Sequence, residues 1–257
     1  MITILTAVAT HPGMRREGNE DAYCVRADLG LYLVADGMGG HAAGEVASRL
    51  ATETIEGVIR DTRNADVNST WPMPFDTSLS INGNRLKTAF HMANRRLTSA
   101  MEGDEHLRGM ATTVAAMLIA GAKGTIAHVG DSRVYRLRGG ELSVLTEDHS
   151  WVNEQVRAGR LTDNDARRHP WRNVVTRAIT GGDDPAPDVQ EVQLAAGDRL
   201  LICSDGLSSV VSPDEIQLLL ADGAPPEATA AALIDAANEA GGPDNITVVI
   251  IDVESAA

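Results

Sequence analysis

Residues 31–60 read LYLVADGMGGHAAGEVASRLATETIEGVIR, and the hydrophobic period changes within them. Leu31 to Ala35 is a continuous apolar run short enough for a buried strand, whereas from His41 to Arg60 the apolar side chains of Ala47, Ala51, Ile55 and Val58 return at helical spacing. A strand therefore feeds a helix through Asp36-Gly37-Met38-Gly39-Gly40, and an acid is left at the strand's end. Glycine beside it permits the close approach of backbone or ligand.

The same sentence is written three more times. HVGDSRVYRL ends an apolar run at Asp131, LLICSDGL at Asp205, and GGPDNITVVI places Asp244 just before one. Further strands are expected at Thr113 to Ile119, Thr125 to Val129, Val134 to Leu137, Arg199 to Cys203 and Ile246 to Val253. VYRL and LSVL flank Gly139-Gly140, so they should form an antiparallel hairpin. A second long helix is expected from Asn84 to Met101. A third follows the capping box Ser212-Pro213-Asp214-Glu215, and an alanine-rich fourth runs from Glu227 to Ala240.

Two groups of antiparallel strands, each beside a helix pair, predict an α+β fold: a four-layer αββα sandwich of two sheets flanked by helices, one domain over residues 1–257. Two excursions interrupt it. One spans Asp61 to Gly83; the other, Glu147 to Ile179, carries two short helices stopped by Gly159 and Pro170.

A net charge of −14 argues against a nucleic-acid or anionic-membrane surface, since both require a basic face. Cys24 and Cys203 lie in apolar runs without a partner at zinc-ligand spacing and read as small core residues. No basic leader precedes the first residues and no apolar run is long enough to span a bilayer, so a cytoplasmic protein is expected, with a monomer as the default.

Asp36, Asp131, Asp205 and Asp244 can converge if their strand ends meet. Oxygen ligands without histidine or cysteine suit Mg²⁺ or Mn²⁺ rather than zinc. Any single Asp-Gly is more simply a turn; four at strand ends in one chain favour a site.

The order MRREGNEDA, VADGMGGHAAGEVAS, GMATTVAAMLI, HVGDSRVYRLR, LTEDHSWV, VVTRAIT, LICSDGLSSVV and GGPDNITVVII spans residues 14 to 251 and resembles the metal-dependent PPM (type 2C) protein serine/threonine phosphatases in their compact bacterial form. The resemblance implies two Mg²⁺ or Mn²⁺ ions bridged by Asp36, with the Gly37 carbonyl completing one and Asp205 and Asp244 ligating the other. It implies a third, weaker ion on Asp131 with Asp205, and Glu20 and Asp21 as holders of metal-bound waters. Arg16, three residues before Asn19, would grip the substrate phosphate, in preference to Arg15. His41 would protonate the departing seryl or threonyl oxygen.

The implied reaction is hydrolysis of phosphoserine and phosphothreonine on proteins by a metal-activated water, opposing a bacterial Ser/Thr kinase. Residues 147–179 correspond to the family's variable flap. Its Arg157, Arg160, Arg167 and Arg168 are equally a solvated helix face or an attraction for phosphopeptides. A phosphoprotein-binding scaffold without turnover is the competing class, disfavoured because Asp36, Asp205, Asp244 and Arg16 are all present.

Overall fold

A computed structural model describes residues 2–39 and 43–255. Among the described residues, ten strands form two five-stranded sheets in which every pairing is antiparallel. The first sheet is ordered β1 (Ile2–His11), β10 (Ile246–Ser255), β9 (Arg199–Cys203), β6 (Arg133–Arg138) and β7 (Glu141–Val144). The second is ordered β2 (Asp21–Arg26), β3 (Leu31–Met38), β4 (Ala111–Ala120), β5 (Lys123–Val129) and β8 (Asp188–Gln193).

Alternation along the central strands builds the layers. In β3 the side chains of Leu31, Leu33 and Ala35 join the core under α1 (Ala43–Thr62) and α2 (Ile81–Gly103), while Tyr32 and Val34 point into the core between the sheets. In β10, Ile246, Val248 and Ile250 face the other helix layer, and Val249, Ile251 and Val253 face the second sheet. A strand buried on both faces shows no polar alternation, which is why these runs read as continuous. The outer layer over the first sheet contains α6 (Pro213–Ala221) and α7 (Pro226–Glu239), with α5 (Asp205–Ser208) at the end of β9. The αββα sandwich is thus the observed fold.

Cys24 and Cys203 are buried and unpaired, one in each helix-side core. Ser212 caps α6 by accepting from the Glu215 N–H at 3.3 Å. The two-way capping box expected there forms instead at Thr162 and Asp165, opening α4 (Asp163–Arg168), which follows α3 (Trp151–Arg157) in the second excursion. Three strands escaped the sequence reading: β1, β2 and β8. All lie at sheet edges, where one side is solvated and the polar residues of DVQEVQ or DAYCVR weaken the apolar signal.

The first sheet is tied to its helices by Arg199, whose guanidinium meets Asp252 at 2.6 and 2.7 Å and donates to the carbonyls of Leu220 and Ala224 and to Thr229. Both partners are mostly buried. Asp252→Ala should therefore lower the unfolding free energy by about 3–5 kcal/mol, because it strands a buried cation. Urea unfolding measures this, and a change under about 1 kcal/mol would place the pair among inconsequential surface contacts.

Candidate metal centre and active site

The ends of the central strands of both sheets carry acids. Asp36 and Asp21 are cross-strand partners on β3 and β2. Asp205 follows β9 at the first position of α5, Asp244 lies two residues before β10, and Asp131 occupies the turn from β5 to β6. Stacking the sheets brings these ends together.

Asp36 is the centre of the cluster. Its carboxyl is pushed well above the ordinary range by burial, and then by Asp21, Asp205, Asp131 and Asp244. Burial also lifts Asp21 to about 7, opposed by the hydroxyls of Thr247 and Ser204, the latter donating to Oδ2 at 2.7 Å. Asp131 is raised to about 8 by burial, Asp205 and Asp148, and Asp205 to about 6 by burial and Asp244. Desolvated carboxylates facing one another disfavour ionisation until a cation joins them.

The donor set fits hard divalent cations. It is all oxygen, and Asp21 Oδ1 is buried with no hydrogen-bond partner among the described residues. Gly37 allows the crowding: a Cβ there would stand 2.2 Å from the Gly44 carbonyl oxygen and 2.5 Å from that of Glu20. The Glu20 carboxyl lies against Gly44 in the first turn of α1, where the helix dipole favours an acid, although burial raises its pKa. Arg16 donates to Asp244 Oδ2 at 2.8 Å, so the expected phosphate-binding side chain reaches the cluster. Among the sequence-predicted site residues, His41 lies outside the described residues.

Two positioning residues were missed by sequence reasoning. Asn245 accepts from the Glu20 N–H at 2.7 Å and donates to the carbonyls of Pro12 and Gly18 at 2.9 and 2.8 Å, fastening the loop that bears Arg16 and Glu20 to the start of β10. Ser204 bridges Asp21 and the Thr247 N–H. The signal for each was adjacency to a predicted ligand, Asp244 and Asp205.

A cleft of about 290 Å³ leads from Asp131 and Asp205 beneath α3 and α4, with Val152, Val156 and Arg167 in its wall. Arg157 instead pairs with Glu147 at 2.9 Å. A second cluster, His128, His149 and Asp188, places three ligand atoms within 4.8 Å of one another. The Arg177 guanidinium already fills the cation position there, 3.0 Å from Asp188 Oδ1 and 2.7 Å from His149 Nε2.

The sequence matches the family description "Protein phosphatase 2C" over residues 15–240. The chain belongs to the protein phosphatase 2C family. It is 40% identical over 250 residues to the serine/threonine protein phosphatase PstP of Mycobacterium tuberculosis, a match covering 96% of this chain and 44% of that protein, so the chain spans less than half the length of that relative. It is 37% identical over 257 residues to protein phosphatase PhpP of Streptococcus pneumoniae, covering 98% of this chain and 97% of PhpP. A crystal structure of the PstP catalytic domain in complex with two manganese ions matches with a TM-score of 0.83 at 35% identity, covering 99% of this chain and 100% of that one.

For this 2C-family chain the raised acids fix a stability profile. Unfolded aspartates titrate at about 3.9, whereas Asp21, Asp131 and Asp205 in the folded, metal-free protein hold protons to about 7, 8 and 6. Their stabilising protonation is fully present below about pH 4 and lost as pH rises through about 6 to 8. In chelator, Tm should fall between pH 5 and pH 8 (roughly the span those values define), and Mn²⁺ should remove the fall. Differential scanning calorimetry checks this; a Tm in chelator that is flat or rises over that span would contradict it.

Proposed function

We propose that this chain hydrolyses phosphoserine and phosphothreonine on proteins, opposing a Ser/Thr kinase. The convergence of Asp21, Asp36, Asp131, Asp205 and Asp244 at one end of the stacked sheets carries this reading. Asp36, the Gly37 carbonyl, Asp205 and Asp244 would hold two Mg²⁺ or Mn²⁺ ions, with Asp131 and Asp205 holding a third. When bound, such ions lower the pKa of water and neutralise phosphoryl oxygens, which an inert phosphomonoester requires.

The chain's own residues do the rest. Glu20 and Asp21 would accept hydrogen bonds from water around the ions, and Ser204 holds Asp21 in place by donating to its Oδ2. Arg16 turns from Asp244 to the substrate phosphate, where its planar fork donates to two oxygens. The attacking water's oxygen forms the new bond to phosphorus, keeping one hydrogen on the phosphate and releasing the other to restore the proton donor, as the bond to the seryl or threonyl oxygen breaks. That oxygen leaves with a proton, for which His41 is the proposed donor. The cleft beneath α3 and α4 receives the polypeptide beside the phosphorylated residue. Among the described residues no helix is long and apolar enough to cross a membrane, which accords with a proposed cytoplasmic setting.

Phosphate release from a phosphothreonine peptide with Mn²⁺ tests the assignment. Asp36→Asn and Asp205→Asn should each lower turnover at least about a thousandfold, from the several kcal/mol that metal ions contribute to such chemistry. Arg16→Lys should lower kcat/KM about tenfold through loss of two-pronged recognition. Peptide binding by folded wild-type protein with no turnover under either metal would instead favour the scaffold reading.

A further inference from the structure

The turn that carries Asp131 is gripped from two sides. On the sheet side, Gly130 sits at φ +104° with its Cα against Thr113: a Cβ would come within 2.3 Å of the Thr113 Cβ. Thr113 Oγ1 and Ser132 Oγ share a hydrogen bond of 2.7 Å. On the other side stands the entry to the 147–179 excursion. His149 takes both polar groups of Gly130: the Gly130 N–H donates to His149 Nδ1 at 3.0 Å, and the His149 N–H donates to the Gly130 carbonyl at 2.9 Å. One residue earlier, Asp148 receives Arg133 in a two-pronged ion pair at 2.8 and 2.6 Å.

His149 is in turn immobilised. It is 7% exposed, and its ring stacks on His128 with centroids 4.8 Å apart and planes inclined by 12°. Because Nδ1 accepts from Gly130, Nε2 carries the hydrogen of the neutral ring and donates to Asp188 Oδ2 at 3.1 Å, so Arg177 Nη1, 2.7 Å from Nε2, is a packing contact there and not a hydrogen bond. Asp188 is held in addition by Arg177, which lies on the exit leg of the same excursion. The two legs are joined directly: the Thr176 N–H donates to the His149 carbonyl at 2.8 Å, and the Trp151 N–H to the Val174 carbonyl at 2.8 Å.

We propose that His149 is a positioning residue for Asp131, and that through it the 147–179 excursion sets the affinity of the ion that Asp131 shares with Asp205. This rests on the three-ion reading above. The imidazole fixes the Val129–Gly130 peptide and the His149 backbone N–H the Gly130–Asp131 peptide, so the carboxylate is presented to Asp205 only while the base of the excursion is seated. A shift of the entry leg at His149 changes the third site, whereas Asp36, the Gly37 carbonyl and Asp244 lie on other elements, and Asp36 is reached from the excursion through the exit leg, where Ile179 pairs with Thr112 and Thr112 Oγ1 donates to the Asp36 carbonyl. The role differs from general structural support because it is confined to one acceptor atom, Nδ1, and to one ion.

Isothermal titration calorimetry with Mn²⁺ on purified full-length protein, alongside Tm in chelator, tests this. His149→Leu removes the acceptor, whereas His149→Asn keeps an oxygen close to the position of Nδ1 and loses the reach to Asp188. The weakest Mn²⁺ step should weaken at least about tenfold in His149→Leu, as for other residues that orient metal ligands, and stay within about twofold of wild type in His149→Asn. The tighter steps should be unchanged in both. A weak step unaltered in His149→Leu, or weakened alike in both variants, would overturn the proposal. So would an equal weakening of every step together with a lowered Tm in both variants. Asp131→Asn separates the two levels: if it leaves the weak step intact, the ion on Asp131 falls and this inference with it, while the two-ion reading stands on the tight steps.

Discussion

The mutual repulsion of carboxylates forced out of water at the seam between two sheets governs this structure. Asp36, Asp21, Asp131 and Asp205 are each displaced upward in pKa, chiefly by burial and then by one another. A fold selected for stability alone would not gather them, because each buried charge without a counterion costs several kcal/mol. The proposed divalent cations would make the arrangement favourable, and folding and ligand binding would then share one free-energy balance.

Much of the surrounding architecture serves to hold those acids against their repulsion. The sandwich supplies rigidity: the strand ends that bear Asp36 and Asp205 are continuous with β3 and β9, whose side chains are buried on both faces. Small residues let the elements close up, as at Gly37, between Gly44 of α1 and Glu20. Neutral hydrogen-bonding groups position the acids without neutralising them. Ser204 holds Asp21, and Asn245 ties the Arg16 and Glu20 loop to the strand that follows Asp244. Cations stay at the rim: Arg16 on Asp244, and Arg133 turned away onto Asp148.

The excursion over residues 147–179 is built differently. Its helices are short, one turn or two, and its arginines are largely exposed, yet its base is fastened to the Asp131 turn and to β8 through Asp148, His149 and Arg177. Short helices with exposed arginines on a firm base accord with the proposed receipt of polypeptide in the cleft beneath them.

Strands buried on both faces and helices with a clear apolar stripe were legible in the sequence, because their periodicity is set by what they bury: LYLVA, RLLIC and ITVVIIDV read as strands and fold as strands. The four strand-end aspartates were equally visible, and their shared context pointed to one site. Edge strands were not, since DVQEVQ looks like loop until a neighbour supplies its hydrogen bonds. Nor did the sequence reveal the roles of Asn245, Ser204 and His149, whose importance lies in contacts to residues as far as 233 positions away. By itself the chain determined which residue types stand at the strand ends and hence the chemistry of the ligands. Only the tertiary structure decided that the ends of two separate sheets meet, because the burial that shifts those acids arises when the sheets stack and water leaves the seam.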